Sequence, residues 1–320
     1  MASTTPNSGT GVVTHQKGPI LVIGATGNQG GHVARALLGD GWTVHALTRN
    51  AESPKAQVLK SQGAHLVTGD MADVPALTKA IKEVTGIFSV QNFWDLGLKE
   101  EIRLGSHVIQ AAIDAGNQPH IVYSSGLGAE RRQNVAAIDG KAILEEKLRN
   151  SGLPFTILRP GLFMDDFLGA SLPFARPIQK LLDAHRPLVG RLFLATLQAV
   201  MPKDSRIPLT TLQDVGRMAA WALATPEESQ GKTYGVIGSS ETAETLCVLW
   251  AKVTGQSVPR IPGLKFGLHL VHPKMSVLLK WLGNHDTPVI QEPFRMQTYP
   301  SWLQCTTTTS NGKAPTTPDY

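Results

Sequence analysis

Cysteine is nearly absent from this 320-residue chain: only Cys247 and Cys305 occur, neither in a C-x-x-C pair, so a disulfide framework is not expected. The ten histidines form no ligand-spaced cluster such as H-E-x-x-H, and no metal site is expected either. No run of eighteen apolar residues occurs, which argues against a membrane span. Met1 to Gly18 is rich in Ser, Thr and Gly and lacks the apolar stretch of a signal peptide. Lys and Arg are scattered rather than gathered with aromatics into a nucleic-acid groove, and the net charge of +5 suits an anionic ligand without identifying one. These absences predict a soluble protein of the cytoplasm, with the nucleus as a second compartment, and no direct contact with nucleic acid or membrane.

What is present is 42% hydrophobic residues, enough for one large core or one core with a smaller lobe. Short β-rich apolar runs alternate with helical patterns, the mark of βαβ units and a parallel sheet. The predicted strands are Pro19 to Gly24, Thr43 to Thr48, His65 to Thr68, Gly86 to Gln91, His120 to Ser124 and Phe155 to Arg159. The predicted helices between them are Gln29 to Leu38, Ser53 to Gln62, Val74 to Glu83, Lys99 to Ala115 and Ile138 to Asn150, with glycines at plausible ends. After Pro160 the alternation breaks down; helices are predicted at Thr211 to Leu223, Thr242 to Val253 and Lys274 to Leu282, separated by short strands. The expected architecture is α/β, a doubly wound parallel sheet of the Rossmann kind over residues 19–160. A smaller C-terminal lobe with some returning sheet elements follows over 161–303, and disordered tails are expected at 1–18 and 304–320.

The strand Ile20-Leu21-Val22-Ile23 runs directly into Gly24-Ala25-Thr26-Gly27-Asn28-Gln29-Gly30 and then a helix, so the glycines fall where a strand-to-helix turn must be tight and where backbone can approach a pyrophosphate. The alternative is an ordinary βα turn. At the end of the second strand, where an NAD site would carry an acid for the ribose 2′-hydroxyl, the chain has Thr48-Arg49-Asn50 with Lys55 nearby. A guanidinium there can grip a 2′-phosphate through two N–H groups, so NADP(H) is the expected cofactor; the alternative for Arg49 is a solvated surface side chain. Asp70, at the end of the third strand, is either an acceptor for the adenine amino group or a helix-capping residue. Gln91 and Asn92, ending the fourth, are placed to line ribose and nicotinamide.

These stretches, together with Gln62-Gly-Ala64, Asn92-Phe-Trp94, Tyr123-Ser-Ser-Gly126, Asp139-Gly-Lys141 and Ser151-Gly-Leu-Pro-Phe-Thr-Ile-Leu-Arg-Pro160, resemble the NmrA-like family of atypical short-chain dehydrogenases, NADP(H)-sensing members included. The resemblance covers roughly Pro19 to Gly238. It implies that NADP(H) is held by the loop from Gly24 to Gln29, Arg49, Asp70 and Met71, Gln91, Asn92 and Phe93, Arg103, Lys141, and Leu162, Phe163, Met164 and Asp165. Members of the family divide between true reductases and proteins that bind NADP(H) without turning it over.

Lys141 also stands out by position. On a helix from Ile138 to Asn150, positions 138, 141, 144, 145 and 148 share a face, so Lys141 interrupts an apolar stripe and should meet something anionic or polar, with ribose hydroxyls the foremost candidate. The alternative is a snorkelling side chain. Ordinary short-chain dehydrogenases carry a proton-donating Tyr four residues before this Lys; here that position is Ala137, which leaves Lys141, or a water it orders, as the candidate catalytic group. Tyr123, Ser124 and Ser125 are the other donors nearby.

Two functions follow. The first is an NADPH-dependent oxidoreductase on a small, largely apolar organic substrate held against the second lobe, where Phe163, Phe167, Phe174, Leu181, Leu182, Leu192, Phe193 and Trp221 are pocket candidates and, for most of them, plain core is the alternative. The second is a non-catalytic regulator that senses NADP(H) and binds a protein partner. The size of the second lobe favours the first.

Overall fold

The computed structural model describes residues 17–131, 134–165, 186–264 and 273–283. The expected tails lie almost wholly outside this range, as do Cys305 and the pocket candidates Phe167, Phe174, Leu181 and Leu182.

Strands β1 (Ile20–Val22), β2 (Val44–Thr48), β3 (His65–Thr68), β4 (Gly86–Ser89), β5 (His120–Ser124) and β6 (Phe155–Pro160) form where the sequence pattern puts them. Helices α1 (Asn28–Gly39), α2 (Pro54–Ser61), α3 (Val74–Ile81), α4 (Phe93–Ala115) and α5 (Ala136–Arg149) alternate with them. The sheet is parallel throughout, ordered β3-β2-β1-β4-β5-β6 and completed by a seventh strand, Thr233–Val236, beside β6. The order reverses between β1 and β4, and in a doubly wound sheet the crevice beyond the carboxyl ends of those two strands is where ligands bind.

Both faces are covered. Val33, Ala34 and Leu37 of α1, Leu59 of α2 and a helix at Leu212–Ala224 pack one side around Val22, Ala46 and Phe88. Leu77 and Ile81 of α3, Val108, Ala111 and Ala112 of α4, and Leu144 and Leu148 of α5 pack the other around Leu21, Ile87 and Ile121.

Two sequence expectations change here. Helix α4 begins at Phe93, six residues before the predicted Lys99, because Asn92 caps it; Gly97, at φ 74° and ψ 170°, breaks the helix into two pieces, and only the second has an uninterrupted periodicity. The helix at Leu212–Ala224 does not belong to the second lobe. It lies on α1 so closely that a Cβ at Gly216 would stand 2.7 Å from the His32 carbonyl oxygen. Trp221 therefore packs on the core of the seven-stranded sheet, edge to face with Tyr234, rather than in the second lobe.

The second lobe has its own small core. Ile207 and Leu209, from a three-stranded sheet of Leu162–Phe163, Arg206–Thr210 and Ser239–Thr242, pack with Met164, Val189, Phe193, Leu197, Leu246 and Trp250. Phe193 is core there, whereas Leu192 faces solvent.

Candidate functional site

The site is built on the β1 to α1 turn. Gly24 sits at φ +75°, a left-handed conformation that side-chain-bearing residues rarely adopt, and its carbonyl accepts from the Gly27 amide at 2.9 Å. Ala25 is fully buried, and Thr26 packs less tightly beside it. Gly27 caps α1 with no side-chain bond, so the first amides of the helix, on Asn28, Gln29 and Gly30, face outward at its positive end with no carbonyl one turn back. A Cβ on Gly30 would lie 2.2 Å from the Gly24 carbonyl oxygen, so glycine alone lets helix and turn approach this closely. The Gln29 side chain accepts from the Ser124 hydroxyl at 2.6 Å, tying the turn to the end of β5. This donor set fits the pyrophosphate of a dinucleotide.

Arg49 and Asn50 follow β2. The Arg49 side chain is 83% exposed and its Nε stands 4.0 Å from Asp70 Oδ2. Asn50 orders its own turn: its Oδ1 accepts from the Glu52 amide at 2.9 Å. Asp70 Oδ1 accepts from the Ala72 amide at 2.8 Å, and the cap of α3 is Asp73, not Asp70. Met71 presents its sulfur to Gln91 Nε2 at 3.7 Å and its carbonyl to His107. A rim of exposed polar groups thus surrounds the far end of the crevice.

Beyond β4, Gln91 is buried and its Nε2 donates to the Ser89 hydroxyl at 3.0 Å. Asn92 caps α4, accepting from the Trp94 amide, while its Nδ2 donates to Asp95. Phe93 is buried beneath Trp94, with the Lys274 ammonium 5.3 Å from its ring centre. Arg103 is on the exposed side of α4, paired through two nitrogens with Glu100.

Lys141 is buried as the helix-face argument requires, but its anion is a protein carboxylate. Its Nζ donates to the Gln91 carbonyl at 2.8 Å and forms an ion pair with Glu101 Oε1 at 2.9 Å, above the Tyr123 ring at 5.6 Å. Glu101 is wholly buried; that burial raises its carboxyl pKa, and Lys141 opposes the rise. Tyr123 is held as a neutral phenol, its pKa driven far up by burial first and then by Glu101 and Glu145.

Leu162 and Phe163 form the short strand that starts the second sheet, and Met164 enters the second core. Asp165 accepts from the Leu212 amide at 3.0 Å; burial raises its pKa, while that amide and His32 of α1 lower it. The sequence reading overlooked Glu101, yet the signal is the one that marks Lys141. Glu101, Leu104, Gly105, Val108, Ala111 and Ala112 share the buried face of α4, and the acid interrupts that stripe. Glu145, on the same inner face of α5 as Lys141, has a partner that the sequence does not indicate: Arg159 grips it from β6 at 2.6 and 2.9 Å.

The model of the NmrA-like family matches residues 16–264. The chain belongs to the NmrA-like family. Among curated relatives, this NmrA-like chain is 40% identical over 159 residues to the NmrA-like family domain-containing oxidoreductase himF of Aspergillus japonicus, covering 47% of this chain and 48% of that one. It is 32% identical over 243 residues to the oxidoreductase notA' of Aspergillus versicolor, covering 70% and 65%. The matches thus span less than two thirds of either relative's length. Of the solved structures, the Citrobacter sp. triphenylmethane reductase complexed with NADP(H) superposes with a TM-score of 0.64 at 22% identity, over 84% of this chain and 91% of that one. The negative transcriptional regulator NmrA in complex with NADP superposes at 0.62 and 18%, over 83% of each. Among the described residues no helix is long and apolar enough to cross a membrane.

Proposed function

We propose that this NmrA-like protein binds NADP(H) across the β1/β4 crevice and acts as an NADPH-dependent oxidoreductase on a small, largely apolar organic substrate. The observation that carries this reading is the Lys141 ammonium, buried and fixed at the carbonyl of Gln91, just beyond the end of the strand beside the glycine turn. The amides of Gly24 to Gly30 would hold the pyrophosphate and Arg49 a 2′-phosphate. Asn50, Asp70 and Met71 would border the adenosine, and Gln91, Asn92, Phe93, Arg103, Leu162, Phe163, Met164 and Asp165 would complete the family's binding set. Bound NADPH would supply a hydride. Lys141 then donates the proton, directly or through a water it orders, because Ala137 stands where a tyrosine would and Tyr123 lies buried beneath the lysine with its phenol pKa far above the usual range.

The test is NADPH consumption with a panel of quinones, enones and ketones. Turnover that falls with Lys141→Met is the expected result; tight NADP(H) binding without turnover of any substrate overturns it. That outcome matches a second reading, a regulator whose partner binding follows NADP(H) occupancy. What supports the second reading is the missing tyrosine and a lysine already engaged by Glu101 and Gln91.

A further inference from the structure

The carboxylate of Glu101 reaches Lys141 through a space that one glycine leaves open. A Cβ at Gly140 would stand 2.5 Å from Glu101 Oε2 and 3.0 Å from the Leu98 side chain, so any larger residue there forces the carboxylate to move from its place beside the lysine. Glu101 is fully buried on α4, Gly140 and Lys141 are adjacent on α5, and the two helices pack directly against each other. Stability is a weak reason for such a pair, because replacing a buried ion pair by apolar residues of similar volume is often neutral or favourable. An ammonium has three N–H donors. The Gln91 carbonyl accepts one of them, and the Glu101 carboxylate, its Oε1 2.9 Å from the same nitrogen, holds the ammonium by charge on a second side while both of its buried oxygens lack a hydrogen-bond donor, so the pair confines the ammonium and leaves N–H capacity for a further acceptor.

We propose that Glu101 is the positioning residue of this site, aiming the remaining N–H of Lys141 at the nicotinamide-side ribose of NADP(H), and that Gly140 is the residue that makes room for it. This rests on the assignment of Lys141 to the cofactor pocket. Glu101 touches neither cofactor nor substrate; it acts through Lys141 alone, and its effect must vanish when Lys141 is gone.

The experiment measures the NADPH dissociation constant by cofactor fluorescence, with urea midpoints in parallel, for Glu101→Gln, Gly140→Ala, Lys141→Met and the double variant Glu101→Gln/Lys141→Met. Glu101→Gln keeps the shape and removes the charge, and should weaken NADPH roughly tenfold, the scale of one charge-assisted contact. Gly140→Ala keeps both charges and displaces the carboxylate, and should weaken it similarly. In the Lys141→Met background Glu101→Gln should add nothing. Wild-type affinity in Glu101→Gln alongside weakened affinity in Lys141→Met overturns the proposal, as do independent, additive losses, which a merely structural role would give. If Glu101→Gln does not fold, Gly140→Ala decides on the same criteria. Unchanged affinity in Lys141→Met removes the pocket assignment itself, a failure distinct from that of Glu101.

Discussion

The guanidinium of Arg49 stands 4.0 Å from the carboxylate of Asp70, across the ends of neighbouring strands β2 and β3, and most of the arginine lies in water. So exposed a pair contributes little to stability, which leaves Arg49 available to a 2′-phosphate. NADP(H) should bind more tightly than NAD(H), and Arg49→Ala should remove roughly 1.5–3 kcal/mol of NADP(H) affinity while sparing NAD(H). Calorimetric titration of both cofactors checks this; equal wild-type affinities would sink it.

Lys141→Ala strands the Glu101 carboxylate in a buried site. Breaking such a pair from one side should cost about 3–5 kcal/mol of unfolding free energy, whereas Glu101→Leu combined with Lys141→Met should cost far less. Urea denaturation of the single and double variants measures the difference. In an oxidoreductase, Lys141→Met should also lower turnover by roughly 10²–10⁴-fold, the contribution of a placed proton donor.

Gly30→Ala puts a methyl 2.2 Å from the Gly24 carbonyl oxygen, against backbone that cannot rotate away. The turn has to open, at a cost of roughly 1–3 kcal/mol as for other overpacked sites. Loss of cofactor binding should accompany it, since the amides at the start of α1 move with the turn. A variant with wild-type melting temperature and affinity would contradict this geometry.

His120 is buried at the start of β5 with its pKa depressed from the ordinary 6.5 to about 4 by burial. The Thr156 hydroxyl donates to the Ser229 carbonyl, so His120 donates to Thr156 from Nε2 and would have to accept a proton at a buried Nδ1 that has no partner. The unfolded chain takes up this proton as pH falls through 6.5, the folded chain only near 4. Stability that is present above pH 6.5 is therefore lost as pH falls toward 4, by about 3 kcal/mol in total. Urea midpoints between pH 7 and 4.5 should fall more steeply in the wild type than in His120→Gln; parallel slopes would show that another group governs the acid limb.

Much of this molecule is determined by the order of its residues alone. Buried strands such as Ile20-Leu21-Val22 declare themselves by composition, and Gly24 and Gly30 mark a turn because the first needs a left-handed φ and the second a close approach of helix to turn, which only glycine allows. Local periodicity also placed Lys141 on the inner face of α5. What lies against that face is a matter of which helices pack side by side, and only the tertiary structure decided it. Glu101 comes from forty residues away on α4, and it is the anion that meets Lys141 there. The same holds for the Leu212–Ala224 helix and the Thr233–Val236 strand. Their sequences are ordinary, but β6 leaves an open edge and α1 an uncovered face, and burying both returns the chain to the seven-stranded sheet after the second lobe has begun. Long-range pairing is settled by which apolar surfaces and polar groups remain unsatisfied once local elements have formed, and no window of sequence contains that information.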